Sequence, residues 1–118
     1  MSRFTAAERA FLAERRLARL ATVGPDGTPH VVPVGMWRHD PQYDCLDITG
    51  RDFAATKKFR DVTATGRAAL VIDDLASITP WRPRGLEVRG RAEAIREEER
   101  ALIRIYPERI NSWGLEPG

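Results

Sequence analysis

The chain has 118 residues, with 19 basic, 17 acidic and 2 histidine side chains and a formal net charge of +2. A chain of this length makes a single domain, 1–118, that buries about two thirds of its unfolded surface, which excludes a deep cofactor cavity enclosed within one core. Its single cysteine, Cys45, excludes an internal disulfide, and no apolar run is long enough to span a membrane.

The opening segment carries charges at Arg3, Glu8, Arg9, Glu14, Arg15 and Arg16, which is unlike a signal peptide, so a cytoplasmic protein is expected. Within it, Thr5-Ala6-Ala7-Glu8 fits a capping box, and Ala7, Phe11 and Leu12 follow at helical spacing. A short helix is predicted there. Leu17 to Val23 reads as a strand, Gly24-Pro25-Asp26-Gly27 as a tight turn, and Thr28 to Trp37 as the second strand of a hairpin. Pro29 and Pro33 lack the backbone N–H that a central ladder needs, so one side of this second strand should face something other than a neighbouring strand.

Tyr43 to Thr49 reads as a third strand, and Phe53 to Val62 as a helix with Asp52 as its N-cap. The apolar run Ala68 to Ile72 predicts a central strand buried on both faces. Leu86, Val88, Gly90, Ala92 and Ala94 alternate with Glu87, Arg89, Arg91 and Glu93, the period of a half-exposed antiparallel strand. Arg96 to Tyr106 reads as a helix stopped by Pro107, and the tail from Ile110 to Leu115 is apolar. Five or six strands with helices at the ends and one crossover predict a mainly β protein, a small closed barrel. A cofactor site on so small a barrel is expected to be completed between two copies, as a homodimer.

The charge is distributed unevenly by type. Seventeen of the 19 basic residues are arginines, and the two lysines, Lys57 and Lys58, are adjacent. They fall in Thr49-Gly50-Arg51-Asp52-Phe53-Ala54-Ala55-Thr56-Lys57-Lys58-Phe59-Arg60, which gathers hydroxyls, a glycine, a helix start and four cations, the equipment for binding a phosphate.

Thr49-Gly50 followed by Thr56-Lys57-Lys58 resembles the phosphate grip of the pyridoxamine 5′-phosphate oxidase-like split β-barrel flavoproteins. Gly27 to Trp37 is similar to the strand that lies along the cofactor in that superfamily. Trp81 to Gly90 and Arg109 to Leu115 resemble its actinobacterial branch, which uses the deazaflavin coenzyme F420. The resemblance implies a split antiparallel barrel with its cofactor in a groove between two subunits. It implies that Thr49, Gly50, Thr56, Lys57 and Lys58 hold the phosphate and that His30, Val31, Val32, Pro33 and Val34 line the ribityl chain and ring. Trp37, Arg84 and Trp113 are further candidates for the groove. F420 is the favoured cofactor, since abundant arginine suits its phosphodiester and carboxylate tail, with FMN as the alternative. The implied activity is hydride transfer between F420 and a small electron-poor organic acceptor, with a non-catalytic cofactor carrier as the rival. The tail reads Arg109-Ile110-Asn111 where the true pyridoxamine phosphate oxidases carry Arg-x-His, which argues against that substrate.

Other chemistries find little support. His30 and His39 have no acidic or cysteine partner at ligand spacing, so no metal site is expected. Asp73-Asp74 reads as a solvated pair and Cys45 as a packing residue. No serine, histidine and carboxylate grouping suggests hydrolysis. A basic stripe of Arg82, Arg84, Arg89 and Arg91 lacks the interleaved aromatics of a nucleic-acid platform, so no nucleic-acid partner is expected.

Overall fold

The chain enters its first helix, α1 (Ala6–Glu14), through the capping box the sequence predicts. The Thr5 N–H donates to Glu8 Oε1 at 2.8 Å and the Glu8 N–H donates to Thr5 Oγ1 at 3.1 Å. In this computed structural model residues 1–14 and 17–115 are described. Arg15 and Arg16 therefore lie outside the described residues, as does the end of the chain.

Strands β1 (Ala18–Val23) and β2 (Pro29–Val34) form the expected hairpin, turned by Gly27 at φ 85°. The predicted second strand does not continue to Trp37. It breaks at Gly35-Met36, and β3 (Trp37–Asp40) pairs instead with β4 (Cys45–Ile48). The remaining strands are β5 (Arg67–Ser77), β6 (Arg82–Arg96) and β7 (Ala101–Trp113). All pairings are antiparallel, in the order β2-β1-β5-β6-β7-β4-β3.

That order has a geometric consequence. β2 and β3 are the two edges of the sheet, yet two residues join them, and two extended residues span only about 7 Å. The sheet must therefore curl until its edges nearly meet, giving a half-barrel that is split between β2 and β3 rather than closed. β2 is thus an edge strand, which is why Pro29 and Pro33 are tolerated in it.

Three local expectations are corrected. The segment from Arg96 to Tyr106 is not a helix: Glu97 and Arg100 close a turn by exchanging backbone hydrogen bonds at 2.8 and 3.3 Å, and the chain returns as β7 along β6. Ile103 and Ile105 face the core while Arg104 and Tyr106 lie between them on the other face, a period of two that β-branched residues favour. Pro107 does not stop an element either. It sits in β7 at a bulge opposite Gly90, where a Cβ would lie 2.1 Å from the Tyr106 carbonyl oxygen, so only glycine fits.

The second correction concerns the helix after β4. Asp52 has φ 47° and makes no side-chain cap; a 3₁₀ turn, Phe53–Ala55, follows it, and Thr56 caps α2 (Lys57–Thr65). Third, β5 is central but buried on one face. Ala68, Leu70 and Ile72 are in the core, whereas Ala69 and Val71 on the other face are half-buried.

The core fills the concave side of the curled sheet, with Leu20, Leu46, Ile48, Leu70, Ile72, Leu86, Val88, Ile103 and Ile105 nearly inaccessible. Phe59 and Val62 of α2 close over it. Among the described residues no helix is long and apolar enough to cross a membrane.

Candidate functional site

The proposed grip lies where β4 ends and α2 begins. The Thr49 N–H donates to the Met36 carbonyl at 2.8 Å, which fastens the end of β4 to the β2–β3 link. Gly50 lies against Phe53: a Cβ on it would be 3.0 Å from the Phe53 ring. Phe53 in turn packs edge-on to Phe59, with ring centroids 5.9 Å apart. Both phenylalanines are core, and they form the floor under the junction.

Thr56 caps the helix. Its hydroxyl accepts from the Phe59 N–H at 3.3 Å and donates to the Phe53 carbonyl at 2.6 Å. The cap takes the Phe59 amide, while helix geometry leaves those of Lys57 and Lys58 without partners within the helix, at the positive end of its dipole.

The adjacent lysines have different surroundings. The Lys57 ammonium donates to Asp61 Oδ1 at 3.1 Å, and the Thr22 hydroxyl donates to Asp61 Oδ2 at 2.8 Å. The Asp61 side chain is 4% exposed and that of Lys57 50%. Burial pushes the Asp61 carboxyl up, but the hydrogen bonds from Thr22 and Lys57 and the charges of Lys57 and His30 outweigh it, holding the group below its ordinary 3.8. The same ammonium reaches the β1–β2 turn and acts on Asp26. Lys58 instead lies 5.3 Å from the centroid of the Phe53 ring, and among the described residues it pairs with no carboxylate.

β2 presents its residues alternately. His30, Val32 and Val34 turn inward, while Val31 and Pro33 are exposed, Val31 at 65%. His30 stands opposite Thr22, and its Nδ1 is buried without a hydrogen-bond partner. Thr49 and Gly50 also border an open cleft of about 870 Å³, whose far wall is the β6–β7 turn from Arg96 to Ala101. Trp37 is half-buried and lines a smaller cleft beside Met36, Thr49 and Arg100.

Thus Gly50 and Lys58 both lie against Phe53, and Thr56 caps the helix that carries the lysines, while Lys57 turns to Asp61, which Thr22 opposite His30 also holds; Thr56, Lys57 and Lys58 do not line the cleft that Thr49 and Gly50 border. Arg84 and Trp113 do not join them within one chain. Arg84 is bound by two 2.8 Å hydrogen bonds to Asp74 and lies 5.5 Å from the centroid of the Phe11 ring, and Trp113 pairs with Gly85. Both sit at the end of the β6–β7 ladder opposite the turn that borders the cleft. Asp61 and Thr22 were not apparent as site residues in the sequence, although Lys57 and Asp61 stand at the i,i+4 spacing that pairs charges on a helix.

Elsewhere, Asp40, Cys45 and Asp47 bring potential metal ligands within 4.8 Å of one another. Arg104 occupies Asp47 with hydrogen bonds of 2.8 and 3.1 Å, and burial followed by the charge of Asp47 pushes the Cys45 thiol up to about 12. This is an internal ion pair beside an inert thiol. His39 is likewise engaged, 2.8 Å from Asp44 and edge-on to Phe4.

A curled, split antiparallel half-barrel of seven strands defines a class of small β-barrel proteins. The family Pyridoxamine 5′-phosphate oxidase matches residues 4–117, and the chain belongs to it. It is 38% identical, over 96% of its length and 84% of the other's, to a protein of Streptomyces rimosus named 5a,11a-dehydrotetracycline/5a,11a-dehydrooxytetracycline reductase. Among solved structures it resembles an FAD binding protein from Mycobacterium smegmatis, with TM-score 0.66 and 22% identity over 92% of this chain and 93% of that one. It also resembles a structure described as an F420 reductase, with TM-score 0.67 and 23% identity over 87% and 94%. At these identities the two structural likenesses speak for the fold.

Proposed function

We propose that this protein is an F420-dependent oxidoreductase acting on a small, electron-poor organic acceptor in a groove shared by two copies. The observation that carries the reading is the start of α2: a capped helix whose second lysine, Lys58, pairs with no carboxylate among the described residues and lies over the Phe53 ring against which Gly50 packs. A phosphate needs a cation that no carboxylate already satisfies, and helix amides to donate to it, so the residues present fit such a group. The relative at 38% identity, named a dehydrotetracycline reductase, supports reduction of a small molecule as the activity.

In this reading Thr49, Thr56, Lys57 and Lys58 serve the phosphate end, and His30 to Val34 the chain and ring. The bound deazaflavin supplies the hydride. The protein binds and orients it, and Trp37 and the apolar β2 residues keep water from the reacting face. The abundant arginines suit an extended anionic tail, which favours F420 over FMN.

The second copy is supported by the convex face of the sheet, where Val31, Ala21 and Ala69 align across β2, β1 and β5, while in the next row Arg19 stands between Pro33 and Val71. Arg84 and Trp113, remote from the junction in one chain, would enter the groove from the partner. The test is titration of oxidised F420 and of FMN, separately, into the wild type and a Lys57→Ala/Lys58→Ala variant, followed by turnover with reduced F420 and enone acceptors. Tight F420 binding lost in the variant, with turnover, supports the reading. FMN binding in place of F420 transfers it to the flavin, binding without turnover makes the protein a carrier, and binding indifferent to the lysines removes the site.

A further inference from the structure

The two lysines carry the same formal charge and differ in what surrounds it. We infer that they divide the work, Asp61 acting as a positioning residue that anchors Lys57, while Lys58 is the cation that meets the ligand's phosphate. This rests on the reading of the junction as a phosphate site.

Three observations carry it. Lys57 hydrogen-bonds a carboxylate that is 4% exposed, so its charge offsets one that cannot be hydrated. The other oxygen of that carboxylate is held by Thr22 on β1, so Asp61 is fixed to the sheet as well as to the helix. The Asp26 carboxyl of the β1–β2 turn is held down chiefly by hydrogen bonds from Thr28 and least by the charge of Lys57, so the pairing of Lys57 is with Asp61. Lys58 has no such opponent among the described residues, and the Phe53 ring beneath it borders Gly50 and hence the Thr49 end of the grip.

The division makes removal of Lys57 harmful in an indirect way. It leaves the Asp61 carboxylate buried, unpaired and close to the phosphate. Taking away the carboxyl charge as well should restore the site, since a neutral pair leaves nothing uncompensated. Lys58 has no carboxylate partner of its own, among the described residues, whose removal would restore the balance.

The experiment is a set of variants, Lys57→Met, Asp61→Asn, Lys57→Met/Asp61→Asn, Lys58→Met and Lys58→Met/Asp61→Asn, examined for oxidised F420 and FMN affinity at two salt concentrations and for thermal unfolding without cofactor. Lys58→Met is expected to weaken binding more than about tenfold and to flatten its salt dependence, leaving the unfolding temperature unchanged. Lys57→Met is expected to weaken binding and lower the unfolding temperature, and Lys57→Met/Asp61→Asn to recover both, with affinity within about threefold of wild type. A purely structural role for Asp61 would not yield that recovery of affinity alongside a preserved salt dependence. If the double variant binds as poorly as Lys57→Met while its unfolding temperature recovers, Lys57 touches the phosphate itself and the division is wrong. If Lys58→Met binds as tightly as the wild type, the assignment is overturned, whereas partial recovery in Lys58→Met/Asp61→Asn, where Lys57 is freed of its carboxylate, agrees with it. If the wild type binds neither cofactor, the underlying reading of the junction fails, a result distinct from either.

Discussion

Two buried aspartates, Asp47 and Asp61, each face a cation, and their difference separates the part of the molecule that holds the fold from the part that can hold a ligand. Asp47 and Arg104 are cross-strand partners on β4 and β7, joined by two hydrogen bonds, with side chains 8% and 17% exposed. The guanidinium satisfies both carboxylate oxygens and lies 4.9 Å from the centroid of the Tyr43 ring, so the pair is closed on every side. Asp61 is as deeply placed, but its cation is a lysine half in solvent, at a helix start, next to a second lysine that pairs with no carboxylate among the described residues. One arrangement uses up its charge. The other leaves Lys58 as the cation that the proposed grip would use.

The largest effect is expected at the closed pair. Asp47→Ala would leave Arg104 buried and unpaired, costing about 3–5 kcal/mol in chemical denaturation. A cost below about 1 kcal/mol would mean that the pair is effectively solvated and the contrast is false. Asp61→Ala is expected to cost less, about 1–3 kcal/mol, because Thr22 loses its partner while Lys57 turns to water. Thr56→Ala removes a cap whose position the structure moves from Asp52, and about 1 kcal/mol of stability should go with it, whereas Asp52→Ala should change little.

The smallest effect is one of pH. The Asp61 carboxyl is held below 3.8 in the folded protein, so its contribution is fully present above the unfolded value and disappears as pH falls through the folded one. Asp61→Asn should therefore flatten the loss of stability below about pH 4, measured by urea unfolding across that range. An unchanged acid limb would show that Lys57 and Thr22 do not favour the charged form.

The sequence made some of this legible for reasons that are local. Thr5 and Glu8 are three residues apart and bond only each other's backbone, so the capping box could be read without knowing the fold. Pro29 and Pro33 marked β2 as an edge because the missing N–H is a property of the residue. The grouping of hydroxyls and cations from Thr49 to Lys58 is likewise a property of the residues, and the phosphate grip built on it is the proposal. β7 was not, because Leu102, Ile105 and Tyr106 fit a helix while Ile103 and Ile105 fit a strand, and the choice is made by the β6 ladder that runs from Gly85 to Arg96. Nor could the sequence choose between Asp52 and Thr56, both good caps, since a positive φ at Asp52 decides it. Asp61 read as one more charge on a solvated helix, because the hydroxyl that fixes it, Thr22, is 39 residues away.

The most direct test of the central claim, that the start of α2 grips a cofactor phosphate through a cation left without a counter-charge, is titration of oxidised F420 into the wild type and Lys58→Met, followed by fluorescence. The account predicts saturable binding by the wild type and a loss of more than about tenfold in the variant, with an unchanged unfolding temperature. Equal affinity in the two proteins would contradict it.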